Sequence, residues 1–226
     1  MKRFKGLFIF LIFFPFFFSV SCSNHPPEII QVFVQKNLSQ NQESGSISEK
    51  ISLFLHLQDE EGIDDIESIY CIHDDEELFW ELGGDNWTTF EQDGEKWIGS
   101  NGLTAPGYDL LPGGIFRVVV IDAAGERNST EIFLNSGQPG ADIKYPSLRI
   151  SGDNFIEISS PYEENTIWVF GPSNQPLGLF KTRENSVPVS SVISKGESVR
   201  DAAYYVYAYS NEYAYGLISG PFFAEE

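Results

Sequence analysis

Along most of this chain apolar residues come in short runs, and nowhere do they recur at helical spacing over the roughly 11 residues that an amphipathic helix needs. The sequence therefore predicts an all-β protein. In Ile51–Leu57 (ISLFLHL) the residues Ile51, Leu53, Leu55 and Leu57 share one face, while Ser52, Phe54 and His56 take the other. That is the period-two pattern of a half-buried strand. Ile29–Gln35 reads as the first strand and the polar stretch Lys36–Glu49 as a loop. Further strands are predicted at Ile66–His73, Leu78–Glu81, Trp87–Phe90, Lys96–Ile98, Gly114–Asp122 and Thr130–Leu134. A second series follows at Leu148–Ser151, Phe155–Ser159, Thr166–Phe170, Leu177–Lys181, Ser186–Ile193, Ala203–Ser210 and Tyr215–Ser219. Between the two series, residues 136–147 (SGQPGADIKYPS) bring Gly, Pro and small polar groups together, the composition of a linker.

The amino terminus differs from the rest. Met1-Lys2-Arg3-Phe4-Lys5 is cationic, and the run from Gly6 to Phe18 is nearly all Phe, Leu and Ile. These are the two leading regions of an export signal. The apolar run is shorter than the roughly 20 residues that a membrane-spanning helix requires. Small residues then lead into a cysteine, Ser19-Val20-Ser21-Cys22, followed by the polar Ser23-Asn24-His25-Pro26-Pro27. This arrangement resembles the lipobox of bacterial lipoproteins, with Ser19 where Leu is commonest, and its Phe-rich apolar run is similar to those of spirochaete-type lipoproteins. The resemblance implies a signal peptide at 1–21, acylation of the Cys22 sulfur and a lipidated tether at 22–28. Two or three acyl chains, at about 0.8 kcal/mol per buried CH₂, hold a protein on a bilayer where a single chain does so marginally. The expected address is the cell envelope, reached by export from the cytoplasm and held by covalent lipid. Ser23 stands where an Asp would signal retention at the inner membrane, which favours the outer membrane or cell surface.

Losing residues 1–21 would remove three cations and no acid from a chain whose net charge is already −19. Such a charge repels nucleic-acid phosphates, so nucleic acid is excluded as a partner. About 200 residues remain, enough for one large domain or two small ones. All four Trp and all ten Tyr lie there, so a real core can form. Besides Cys22 the only cysteine is Cys71, which leaves no internal disulfide. Cys71 sits in the strand-like Ser68-Ile69-Tyr70-Cys71-Ile72 and reads as a buried structural thiol.

Two segments carry a second resemblance. Asp59-Glu60-Glu61-Gly62-Ile63, and the run from Leu111 to Gly125 (LPGGIFRVVVIDAAG), resemble bacterial immunoglobulin-like domains over roughly residues 29–135. The resemblance implies that Phe116, Val118 and Val120 point into a sandwich while Asp122 and Gly125 form its exit turn. Residues 148–226 look like a fibronectin type III module, with Tyr204–Ser210 as its penultimate strand. The predicted architecture is thus a signal peptide followed by two tandem β-sandwich (Ig-like / FnIII-like) domains, with no sequence repeat linking them.

Three groups of residues could carry function. Acidic loops containing Asp59, Glu61, Asp64 and Asp65, and Asp74 with Asp75, are weak Ca²⁺ candidates, since calcium takes six to eight oxygen ligands. Their spacing matches no EF-hand loop, and the expectation is no metal and no cofactor beyond the lipid. Trp80, Trp87 and Trp97 fall within a short stretch and could make a ligand-binding face, although sandwiches bury Trp routinely and core packing or turn-covering is the expected role. Three coplanar exposed rings would favour glycan recognition, whereas buried rings would leave scaffold or protein binding. Alternation places Tyr205, Tyr207 and Tyr209 on one face and Tyr204, Val206 and Ala208 on the other, so one set stays partly exposed unless domains pack there. Enzyme signatures are missing: His25, His56 and His73 lack metal-ligand spacing, and there is no G-x-S-x-G elbow, P-loop or dinucleotide fingerprint. The expected function is a non-enzymatic envelope lipoprotein acting as a binding or spacer module for a protein or glycan. The alternatives are a carbohydrate-recognising accessory using its Trp residues and a structural subunit of an envelope complex.

Overall fold

The structure is a computed structural model, and it describes residues 25–105, 107, 110–135, 142–151, 155–173, 175–193 and 199–225. The signal peptide, Cys22 and residues 136–141 of the linker lie outside them. Described residues are overwhelmingly strand, as the short alternating runs predict.

In the first half of the chain the strands are β1 (Glu28–Asn41), β2 (Ile47–Gln58), β3 (Ile66–His73), β4 (Leu78–Leu82), β5 (Thr88–Gln92), β6 (Glu95–Leu103), β7 (Gly114–Asp122) and β8 (Arg127–Leu134). The second half contributes β9 (Ser147–Ser151), β10 (Phe155–Ser159), β11 (Asn165–Phe170), β12 (Pro176–Thr182), β13 (Ser186–Pro188), the one-turn helix α1 (Val189–Val192), β14 (Ala203–Ser210) and β15 (Tyr215–Phe222). They form a long sheet ordered β12-β11-β14-β15-β1-β2-β6-β5, a four-stranded sheet ordered β4-β3-β7-β8 and a three-stranded sheet ordered β13-β10-β9.

Both small sheets cover the same face of the long one, which we call inner. Beneath the first, Leu53, Leu55 and Ile98 of the long sheet pack with Ile69, Cys71, Phe116, Val118 and Val120. Beneath the second, Ile167, Val169, Tyr204 and Val206 pack with Ile150, Ile156 and Val187. Phe116, Val118 and Val120 point inward, and Gly125 takes a positive φ in the turn that Asp122 closes by accepting the Glu126 N–H at 2.9 Å. Burial raises the Cys71 thiol to about 12, which makes it inert.

The expected loop over Lys36–Glu49 is corrected. β1 continues to Asn41 and β2 begins at Ile47, with the chain reversing between them through Gly45 at φ +69°. This extension joins the two halves, because Asn37–Asn41 pair in parallel with Gly216–Gly220 of β15. The segment looked like a loop because its outward residues, Gln35, Asn37 and Ser39, are polar and its inward Lys36 is charged. Lys36 is nonetheless buried. Its Nζ lies 3.6 Å from Glu49 Oε1 and donates to the Leu111 carbonyl at 3.0 Å, while Glu49 also accepts from the Leu111 N–H and the Tyr215 hydroxyl. Desolvation lowers the Lys36 pKa, opposed by the adjacent Glu49 carboxylate, and burial followed by that carboxylate raises Tyr215. A buried pair with every neighbour satisfied specifies register more than it adds stability.

Ser186–Ile193 is the other correction. The predicted strand stops at Pro188, and Val189–Val192 close a helical turn through the Ile193 N–H to Val189 O bond at 3.0 Å. Proline cannot donate to a ladder, and the turn drops Val189, Val192 and Ile193 together into the second core.

Candidate functional site

Opposite the two covering sheets, the long sheet presents an outer face that no described element covers. Strand alternation alone decides which side chains stand there. From β5 toward β11 they include Phe90, Trp97, Phe54, Phe33, Gln35, Asn37, Tyr207 and Trp168. Neighbouring strands place their rings in contact. Phe90 lies edge-on to Phe54 at 5.0 Å between centroids and parallel to Trp97 at 6.3 Å. Trp168 and Tyr207 are stacked at 5.6 Å and 20°, and Phe170 meets Tyr205 edge-on at 5.8 Å. Phe33 and Phe90 remain 46% and 40% exposed, a large exposure for rings of this size.

Between these rings lie two adjoining cavities. One of about 450 Å³ is bounded by Phe33, Phe54, Phe90 and Trp97, and one of about 240 Å³ by Phe33, Gln35, Trp168 and Tyr207. Phe33 and Asn101 line both, so the two form one groove across the strands. Its centre is ordered by hydrogen bonds. Gln35 Nε2 donates to Asn37 Oδ1 at 2.7 Å and to the Tyr207 hydroxyl at 2.8 Å, and Asn37 Nδ2 donates to Ser52 Oγ at 2.8 Å. Gly216 of β15 makes room for this cluster, since a Cβ there would come within 2.0 Å of Asn37 Oδ1 and 2.3 Å of Gln35 Nε2. Partial burial raises the Tyr207 phenol above its ordinary value, offset in part by the Gln35 bond. Beyond Tyr207, a third cavity of about 410 Å³ brings Glu163, Glu164, Lys181 and Arg183 to one end of the face.

The sequence candidates scatter around this geometry. Tyr205, Tyr207 and Tyr209 stand on the outer face, opposite the buried Tyr204, Val206 and Ala208. Trp80, Trp87 and Trp97 do not share an exposed platform, so this trio gives no support to glycan recognition and a glycan site would have to be built from other rings. Trp80 and Trp87 pack against the first core, with Trp80 Nε1 donating to Thr104 O at 2.9 Å. Trp97 is 9% exposed, its ring among the outer-face aromatics. Three of the carboxylates meet a local partner, although Asp59 Oδ2 is buried without one. Asp59 Oδ1 accepts the Glu61 N–H at 2.8 Å, Asp64 meets Lys96 at 3.1 Å, and Asp74 meets Arg117 at 2.8 Å. That guanidinium holds Asp74 below the usual carboxylate range. Asp65 offers its carbonyl to the Ala123 N–H, and Asp75 is exposed. Among the described residues, no group of three or more His, Cys, Asp or Glu side chains could hold a metal ion, and no helix is long and apolar enough to cross a membrane.

Sequence reasoning missed Phe33, Phe90 and Trp168, and with them the amides Gln35 and Asn37. A signal was present, because Phe54 and Trp168 occupy the polar-side positions of alternating strands. What no strand could show is that seven of them would lie side by side.

No protein-family model and no curated protein matches the chain. Solved structures similar to it include Tp47, the 47-kilodalton lipoprotein of Treponema pallidum, at 12% identity and a TM-score of 0.41 over 88% of this chain and 51% of that one. Dimeric latent PorU from Porphyromonas gingivalis is similar at 14% identity and a TM-score of 0.33, over 90% and 21%. The BSP domain of a biofilm-associated protein is similar at 13% identity and a TM-score of 0.25, over 85% and 30%. The chain spans about half the length of the first of these and less of the other two.

Proposed function

We propose that this protein is a lipid-anchored, non-enzymatic binding protein of the cell envelope, and that its ligand lies on the outer face of the long sheet. One observation carries the reading: a groove walled by aromatic rings runs across a sheet face that no described element covers. Grooves lined by aromatic side chains with a few convergent polar groups are the usual form of a ligand site. The anchor rests on the sequence. Ser19–Cys22 supplies the acylation site, and Ser23–Pro27 a short polar tether. The immunoglobulin-like and fibronectin-like character of the halves belongs to the same proposal, with Phe116, Val118, Val120 and the Asp122–Gly125 turn as its support. In such folds function sits in a grafted surface, here the outer face.

The anchor is tested by growing cells with radiolabelled palmitate. The wild-type chain is expected to take up label and to partition into the detergent phase, and Cys22→Ala to do neither. Equal labelling of the two forms would overturn the anchor. The binding face is tested by placing a photo-crosslinking residue at Asn101, beside both cavities, in intact envelopes. Capture of a defined protein or glycan adduct supports the face, and its absence under conditions where the protein is folded removes it.

A further inference from the structure

Resting on that reading, we propose that the ligand of the outer face is an uncharged glycan chain lying across the strands between Trp97 and Trp168. Three features of the groove select this chemistry.

The first is direction. On a sheet face the backbone N–H and C=O groups point along the sheet toward neighbouring strands, so a ligand lying on the face is recognised by side chains. A peptide that adds as a strand needs a free edge and runs parallel to the strands. This groove instead crosses β6, β2, β1, β15, β14 and β11, a distance of about 24 Å at the usual strand spacing. An elongated ligand fits that path.

The second is charge. The chain has 33 acidic residues, yet among the described residues no carboxylate lines the two cavities, and Lys50 is the one ionised side chain that does. Charged ligands are selected by complementary charge, and one lysine does not supply it along such a length. The charged groups of this region, Glu163, Glu164, Lys181 and Arg183, gather beyond Tyr207 at one end.

The third is the mixture of groups. Ring faces alternate with side-chain amides and hydroxyls, Gln31, Gln35, Asn37 and Asn101 among them. A lipid chain would satisfy the rings and strip water from the amides without replacing its hydrogen bonds, which is unfavourable. Sugar rings present apolar C–H faces and, at their edges, hydroxyls that both donate and accept. The groove is set for both. Both N–H groups of Gln35 are committed to Asn37 and Tyr207, leaving its carbonyl oxygen to accept from a hydroxyl. Tyr207, which accepts from Gln35, keeps its own proton to donate. The Trp168–Tyr207 pair offers the stacking surface beside them. Because these contacts exist before the ligand arrives, little side-chain ordering opposes binding.

The experiment applies the full-length protein in detergent micelles to an array of neutral and anionic glycans, then titrates it with cellohexaose, laminarihexaose, xylohexaose and chitohexaose, followed by tryptophan fluorescence. At least one neutral glycan is expected to bind, with little dependence on salt. Trp168→Ala, Tyr207→Ala and Gln35→Leu should each weaken binding about tenfold or more, as truncating a central aromatic or polar anchor does. Trp80→Phe, on the inner core, should leave affinity unchanged, and circular dichroism checks that each variant is folded. Binding confined to anionic glycans, no neutral binding, or binding indifferent to Trp168 and Tyr207 would overturn the assignment. If the arrays stay blank while the crosslinker at Asn101 captures an envelope protein, the glycan assignment falls and the binding face stands. If neither reports a ligand, both fall.

Discussion

Along β14, Tyr204, Val206 and Ala208 are fully buried beneath the three-stranded sheet, whereas Tyr205, Tyr207 and Tyr209 stand on the opposite side with their rings partly in water. In β2, Leu53 and Leu55 are buried on the inner side, while Phe54 lines the groove on the outer side and is itself 5% exposed beneath its neighbouring rings. One backbone thus carries two surfaces under different demands. The inner side must fill space at the density of a solid, so its side chains are exchangeable only for others of equal volume and polarity. The outer side has no covering layer: neighbouring side chains bury Phe54, Trp97 and Asn37 there, while Phe33, Phe90 and Tyr209 stay open to water. Stability lives on the inner surface, and recognition is free to occupy the outer one.

Substitutions can break this contrast or sharpen it. The largest loss is expected from Glu49→Ala, which leaves the Lys36 ammonium and the Tyr215 hydroxyl buried without their carboxylate. Denaturant unfolding should show a loss of about 3–5 kcal/mol. The double variant Lys36→Met/Glu49→Gln should recover more than half of it, and no recovery would mean that the charge pair itself is what holds β1 against β15. Leu55→Ala, fully buried on the inner side, should cost about 3 kcal/mol by the same measurement.

Next comes an alkaline effect. Desolvation raises Tyr145 to about 12 and moves Tyr205 and Tyr207 in the same direction. Folded phenols that ionise later than unfolded ones stabilise the fold fully below about pH 10, and that contribution is lost as pH rises through their folded values. Absorbance titration at alkaline pH should therefore find a late-ionising set of tyrosines and falling stability over the same range. A single ionisation near pH 10 with no change in stability would contradict the burial. Tyr207→Phe on the outer face removes one hydrogen bond and should change stability by about 1 kcal/mol or less. If it destabilises as much as Leu55→Ala, the outer face is structural and the contrast is gone. The smallest effect is expected at the exposed Asp74–Arg117 pair. Asp74→Asn should leave unfolding at neutral pH unchanged and remove only a little of the acid-side loss that sets in as pH falls through the lowered Asp74 value.

Much of the fold was legible residue by residue. Ile51–Leu57 announced a half-buried strand, the run from Phe116 to Asp122 announced an inward-facing strand and its turn, and the tyrosine alternation on β14 was assigned correctly. The mistakes share a cause. Lys36, Asn37 and Glu49 read as loop because local composition treats polar residues as exposed, whereas Lys36 and Glu49 are buried by pairing with one another and Asn37 is buried on the outer face by bonding Gln35 and Ser52. Trp80 and Trp87 pack against the first core, as sandwiches commonly bury Trp, and nearness in sequence did not bring the three rings onto one surface. The wall opposite Phe33 comes instead from Trp168 and Tyr207, and Gln35 and Tyr207 are bonded although 172 residues apart.

By itself the sequence determined most of the strands, which side of each is apolar and the resemblance to a lipobox at Cys22, because all of these depend on near neighbours along the chain. The tertiary structure alone decided that β1, paired with β2 along its length, would offer its other edge at Asn37–Asn41 to β15, and hence that two cores would share one sheet and one open groove. Strand pairing is set by which distant edges meet and by the register in which their buried side chains fit. That information is distributed over the whole chain, and no single stretch of it carries the answer.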